Sequence, residues 1–165
     1  MAKVNPFIWL LQEKDIPEIV TTFQQIGWDK PAFQYECYFM EQLLEARDVY
    51  VAFVENKFVG YLTILWTSGY QPFHEEKIPE IADFNVLPKF RRQGIGSALM
   101  NLAETEIAKV SPVAGIGVGM TPDYGAAQRM YVLRGYVPDG RGLHYKDHYP
   151  IYGEQITVDD DLVLY

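Results

Sequence analysis

The 165-residue chain is 48% hydrophobic and 15% aromatic, the length and apolar content of one domain built on one core. Its formal charge of −8 at pH 7 excludes nucleic acid as the main partner, because binding along a phosphate backbone needs a net basic surface. No stretch of about eighteen apolar residues offers a membrane span. The amino terminus MAKVNPFIWLLQEKD carries no signal-peptide cleavage pattern, and a single cysteine, Cys37, rules out an intrachain disulfide, so a cytoplasmic protein off the membrane is expected.

In chain order, Asn5 to Leu11 reads as a strand. Asp15 with Glu18 then forms a capping-box-like start to a helix whose apolar face is Ile16, Ile19, Val20, Phe23 and Ile26, and Gly27 ends it. Pro31 opens a second helix with a predicted apolar face of Phe33, Cys37, Met40 and Leu44, which makes Cys37 a packing residue rather than a nucleophile. Val49 to Glu55 and Phe58 to Trp66 form a hairpin across an Asn56-Lys57 turn. A polar, proline-containing loop from Thr67 to Pro79 leads into a central strand ending at Leu87. After it come a helix with Ile95, Leu99, Leu102 and Ala103 on one face, a strand Val113 to Val118, and a helix closing in MYVLRGY at Tyr136. Val137 to Asp161 has no period and reads as a long loop holding part of an acceptor site, before a last strand, DLVLY. Within that loop His144 and His148 are spaced i, i+4 beside Asp147, but with no helix to align them they do not suggest zinc; Asp159, Asp160 and Asp161 read as a solvated turn.

The most informative segment is Asp83 to Ala103, DFNVLPKFRRQGIGSALMNLA. A strand stops at Pro88, Arg91 and Arg92 precede Gly94 and Gly96, and a helix follows at once. Without side chains the glycines let an anion approach backbone N–H groups that are unpaired at a helix start, where the dipole is positive, and guanidinium groups suit phosphate oxygens. The segment is therefore a phosphate cradle. A magnesium-nucleotide loop needs Lys and then Ser or Thr after its last glycine, where this chain has Ser97 and Ala98. A dinucleotide fingerprint needs a small residue where Leu99 stands and an acidic residue closing the next strand, which instead reads GIGVGMT.

What remains, R-x-x-G-x-G at Arg91, Gly94 and Gly96, resembles the pyrophosphate signature of the GNAT superfamily of acyl-CoA-dependent N-acetyltransferases. A second marker resembles that family too: Ala127, Tyr131 and the pair Gly135-Tyr136 closing a helix. Where many members carry asparagine at the start of that helix, this chain has Tyr124. The resemblance runs over Val4 to Tyr165 by order of elements and is specific between Glu80 and Tyr136. It implies an α+β fold, with a mixed, mostly antiparallel central sheet flanked by helices and a splayed strand pair, ending at Val86 and Val118, that holds acyl-CoA. It implies acetyl-CoA as co-substrate, with no metal, bound by Phe84 and Val86 on the strand and by Arg91, Arg92, Gln93, Gly94, Ile95, Gly96 and Ser97 in the turn. The backbone N–H near Phe84 would face the thioester oxygen.

Acetyl transfer to an amine needs a base, because an alkylamine with a pKa of about 10.4 is almost wholly protonated at neutral pH. Glu80 and Asp83 are the candidates. The resemblance places a glutamate six residues before Val86 in some members, which is Glu80, and four before it in others, where this chain has Ala82. On an ideal strand Glu80 shares a face with Ala82, Phe84 and Val86 while Asp83 points the other way, which favours Glu80, with a water path as rival. Tyr131 is the candidate general acid for the coenzyme A thiolate. No Cys-His or Ser-His relay suggests a covalent intermediate, so attack is direct.

The partner is then a cationic primary amine on a small molecule or peptide, met by an acid-rimmed aromatic cleft drawn from Trp28, Tyr35, Tyr38, Trp66, Tyr145 and their neighbours. A homodimer is the default assembly for a soluble chain. The alternatives are a non-catalytic acyl-CoA sensor or interaction module on the same fold, and a nucleotide-binding regulator.

Overall fold

The computed structural model describes residues 4–165; the amino-terminal reading above rests partly on residues 1–3, which lie outside the described residues. The chain divides into two compact units, residues 1–114 and 115–165. Among the described residues no helix is long and apolar enough to cross a membrane.

The first unit carries β1 (Phe7–Leu10), α1 (Ile16–Gln25), α2 (Ala32–Leu43), β2 (Arg47–Val54), β3 (Lys57–Leu65), α3 (Gln71–Glu75), β4 (Glu80–Val86) and α4 (Ile95–Ala108). Its strands run in the order β1-β2-β3-β4, each antiparallel to the next, so the α+β architecture with an antiparallel-dominated sheet flanked by helices is borne out. The hairpin turns at Glu55-Asn56, one residue earlier than expected; both have positive φ, 49° and 63°, which matches the twist of the strands they join. Val49, Val51 and Tyr61 face α1 and α2 and form one core with Ile16, Ile19, Phe23 and Tyr35. Tyr50, Leu62 and Ile64 alternate with them and point the opposite way, and α4 supplies Ile95, Leu99, Met100, Ala103 and Ile107, all buried.

The apolar face predicted for α2 is wrong. Phe33, Met40 and Leu44 are 71%, 55% and 74% exposed, and Tyr35 is the buried residue, stacked on Phe23 and edge-on to Tyr61. The helix has apolar residues around most of its circumference, so period alone did not identify the inner side. The capping box also differs. A 3-10 turn, Glu13–Asp15, precedes α1, and Asp15 Oδ2 accepts from the Gln12 backbone N–H and the Trp9 indole, reaching backwards. Part of the loop expected from Thr67 to Pro79 is α3, opened by Pro72 in its first turn and packed by buried Phe73.

The second unit carries β5 (Gly115–Ile116), β6 (Val118–Gly119), α5 (Gly125–Leu133), β7 (Leu143–Tyr145) and β8 (Leu162–Leu164). The strand expected at Val113 to Val118 is thus two short pieces, broken at Gly117, where a β-carbon would come within 2.8 Å of the Tyr165 ring. The final strand is borne out as β8, which pairs antiparallel with β6 on one side and β7 on the other. β7 lies inside the expected long loop, a strand too short to leave a period in the sequence.

Candidate active site

The cradle begins where β4 ends. Leu87 is buried, Pro88–Phe90 make a 3-10 turn, and the chain then passes through Arg92 at φ 60° and Gly94 at φ 92° before α4 starts at buried Ile95. The left-handed conformation at Gly94 is one that a Cβ would strain. The first helical bond runs from the Ala98 N–H to the Gly94 carbonyl, 2.9 Å, so the N–H groups of Ile95, Gly96 and Ser97 lie ahead of it at the positive end of a fourteen-residue helix. Arg92 and Ser97 are exposed beside them. Arg91 is committed differently from expectation. Its Nε donates to the Val86 carbonyl at 3.0 Å, and its guanidinium lies 5.8 Å from the Trp28 ring centroid. Gln93 shapes the turn through Nε2 to the Lys89 carbonyl. These residues fit a pyrophosphate: backbone donors converge at a helix start, beside a guanidinium with further N–H groups to offer.

Upstream, β4 is irregular. Tyr61 stands opposite Asn85, but Thr63 stands opposite Ala82, so the single residue Leu62 stands opposite two, Asp83 and Phe84. This is a β-bulge, and Asp83 sits in it at φ 41°, a strained value for a side-chain-bearing residue. The bulge overturns the ideal-strand alternation. Glu80 and Ala82 share the face of Thr63, and Asp83 and Asn85 are brought onto that same face, towards Tyr61 and α2, rather than away from it.

There the Asp83 carboxylate is surrounded. Oδ1 accepts from Lys30 Nζ at 3.1 Å and Asn85 Nδ2 at 2.9 Å; Oδ2 accepts from Gln34 Nε2 at 2.9 Å, from the Tyr38 hydroxyl at 2.9 Å and from the Tyr61 hydroxyl. Burial, with Asp83 adding to it, pushes the Tyr38 phenol up to about 12 and raises the Tyr61 phenol well above its ordinary value. Burial raises the Tyr35 phenol as well, against the lowering effect of the neighbouring Tyr61 hydroxyl, and the Asp83 charge adds to the rise.

Glu80, at the start of β4, is 9% exposed. One carboxyl oxygen accepts from the Ser68 hydroxyl at 2.5 Å, and Ser68 in turn accepts from the Tyr70 N–H. Burial raises the Glu80 pKa, against the opposing pull of Ser68 and of Arg47, whose guanidinium bonds Thr63. A carboxyl group held this way releases its proton closer to neutral pH than an open glutamate, which suits a general base. Ser68 also lines a depression of about 390 Å³ with Trp66, Phe73, His74 and Lys77.

In the second unit, Tyr131 is buried on α5 with its ring 6.0 Å from that of Tyr136, and burial pushes its phenol well above the ordinary value. Tyr124, where the asparagine was expected, packs its ring on Gly119 so closely that a β-carbon there would lie 2.6 Å away, and its hydroxyl donates to Asp160. His144 and His148 do not converge. His144 packs edge-on to Tyr149 and Tyr165, whereas the His148 ring meets Glu154 at 2.7 Å. Of the aromatic residues expected to wall a cleft, Tyr35 and Tyr145 are buried.

Reasoning from sequence missed Lys30, Gln34, Tyr61, Asn85 and Ser68. One signal was available: Asp83 and Asn85, two apart in a central strand, are polar residues that burial obliges to find partners. Nothing in the sequence marked Lys30.

The family model described as Acetyltransferase (GNAT) family matches residues 14–136. An uncharacterized N-acetyltransferase of Archaeoglobus fulgidus is 36% identical over 86 residues, 51% of this chain; the chain spans 58% of that relative's length. Among solved structures, an N-acetyltransferase from Staphylococcus aureus aligns with a TM-score of 0.68 at 16% identity, over 98% of this chain and 95% of that one. Ard1 from Thermoplasma volcanium gives 0.68 at 21% over the same shares. The PaiA N-acetyltransferase from Thermoplasma acidophilum, in complex with coenzyme A, gives 0.65 at 11% over 98% of each chain. At these identities the likeness is one of fold.

Proposed function

The chain belongs to the acetyltransferase (GNAT) family, and on that premise we propose that it is an acyltransferase that moves an acetyl group from acetyl-CoA to a primary amine of a small molecule or peptide by direct attack. The chain is one catalytic domain in this reading, since the family match begins in the first unit and ends in the second, at residue 136. Coenzyme A supplies the activated thioester, with its pyrophosphate on the N–H groups of Ile95, Gly96 and Ser97 beside Arg92.

Glu80 is the observation that carries catalysis rather than mere acyl-CoA sensing. A buried carboxyl group with a raised pKa costs stability, and proton abstraction from the acceptor is a reason to keep one. Asp83 is the less available candidate for the base, because five donors already occupy its lone pairs. Its role is to bind and orient. Tyr131 is the proposed acid for the leaving thiolate, and its raised pKa keeps the phenol protonated at neutral pH, as that role requires.

Incubating the purified chain with acetyl-CoA and a panel of amines, while following free thiol, tests this reading. Amine-dependent thiol release is expected. Acetyl-CoA binding without any amine-dependent release would establish the sensor instead, and thermal protection by ATP or NAD but not by acetyl-CoA would establish a nucleotide-binding regulator.

A further inference from the structure

Five groups hold the Asp83 carboxylate, and four of them are neutral: the amides of Gln34 and Asn85 and the hydroxyls of Tyr38 and Tyr61. These four fix its orientation without cancelling its charge. The fifth is the Lys30 ammonium, the only cation bonded to Asp83 among the described residues. Lys30 comes from the connection between α1 and α2, with its side chain 22% exposed, so it can leave for water without disturbing the other four contacts. While it stays, it donates to Asp83 Oδ1 at 3.1 Å and to the Tyr61 hydroxyl at 3.3 Å, and lies 5.9 Å from the Tyr61 ring centroid. A carboxylate, a hydroxyl acceptor and an aromatic face are the surroundings that a desolvated primary ammonium requires.

We propose that Asp83, Tyr61 and Tyr38 form the ammonium subsite for the acceptor, that Lys30 is a resident stand-in which the acceptor displaces, and that the acceptor is accordingly a primary alkylammonium. This deepens the acetyl-transfer reading and rests on it for the kinetics, but not for the binding. Lys30 competes with substrate and lowers its apparent affinity. Recognition needs N–H donors, since two of the contacts Lys30 makes are hydrogen bonds, so an ammonium without N–H groups fills the seat poorly.

Titrating n-butylammonium chloride calorimetrically into the wild-type chain and Lys30→Met tests the seat directly. Affinity is expected to rise about tenfold in the variant, in line with release of a partly buried ion pair. The gain should vanish for n-butyltrimethylammonium, which keeps the stem and charge but has no N–H. No gain for n-butylammonium, including no detectable binding to either protein, would overturn the proposal, as would an equal gain for the trimethyl probe. Should Lys30→Met fail to fold, Lys30→Arg keeps the cation and grips Asp83 with a fork of donors; it is expected to weaken n-butylammonium binding several-fold, and unchanged binding counts against the seat. In thiol-release assays, Lys30→Met should lower the KM for n-butylamine by the same factor while the KM for acetyl-CoA stays put. If the wild type turns over no amine, the acetyl-transfer reading fails while the titration still decides the seat. If it turns over amines and Lys30→Met leaves the amine KM unchanged, the seat fails while that reading stands.

Discussion

Replacing Glu80 by glutamine should make the protein more stable at alkaline pH and poorer at acetyl transfer. Burial holds the Glu80 pKa above that of an unfolded glutamate. Between those two values the folded chain keeps a proton that the unfolded chain has released, so stability falls as pH rises through the window and stays reduced above the folded pKa. Each unit of that elevation corresponds to about 1.4 kcal/mol. Glutamine resembles the protonated acid at every pH, keeps an oxygen for the Ser68 hydroxyl, and removes the decline. The two proteins should therefore melt together near pH 4, and Glu80→Gln should melt higher at pH 8, by about 2–4 °C for each kcal/mol. Loss of a general base should lower turnover roughly hundredfold or more and move the pH profile upward, towards pH values where the amine ionises unaided. Thermal melts at both pH values and thiol-release rates from pH 6 to 10 provide the measurements. A melting difference that does not change between pH 4 and pH 8 would refute the burial account. Turnover within twofold of wild type across the range would give proton abstraction to water.

Four further substitutions test other parts of the site and fold. Gly94→Val places a β-branched residue at φ 92°, a strain of about 1–3 kcal/mol at the head of α4; acetyl-CoA KM should rise strongly, and unchanged cofactor kinetics would remove the cradle. Tyr131→Phe should reduce turnover well beyond any change in acetyl-CoA affinity, and equal turnover removes the phenol from the acid role. On the core side, Phe23→Ala should cost about 3–5 kcal/mol in denaturant unfolding, because its ring packs against Trp28, Tyr35, Phe58 and Tyr61. Phe33→Ser on exposed α2 should stay within about 0.5 kcal/mol of wild type, and a large loss there would mean that this face is covered.

Legibility in the sequence followed the reach of the interactions. The strand, glycine turn and helix from β4 into α4 are set by neighbours a few residues apart, so Pro88, Gly94 and the spacing from Ile95 to Ala103 were enough to place them. The hairpin β2–β3 was equally local. The inner face of α2 was not, since which of its apolar stripes is buried depends on Tyr61 and Phe23, more than ten residues away on either side. The bulge at Asp83 was invisible for the same reason. It exists in the mismatch between β3 and β4, and nothing in E-I-A-D-F-N-V announces an extra residue. Asp83 was therefore assigned to the wrong face, and its partners Lys30, from the connection before α2, and Gln34, from α2 itself, went unread.

The bulge also acts as a phase adjuster within a single strand. Ahead of it β4 carries the carboxylate end, Glu80 to Ala82; beyond it the strand delivers Asn85, Val86 and the entrance to the cradle. The one-residue offset sets the rotation of the second half relative to the first, so the two ends of the strand are tuned to each other by a count of residues more than by their chemistry. Many substitutions at Phe84 would preserve that count. Losing a single codon between Ala82 and Asn85 would not: β4 would pair with β3 as a regular ladder, Ala82 and Asn85 would still face Thr63 and Tyr61, and the second carboxylate, which the extra residue brings onto that face, would have no place there.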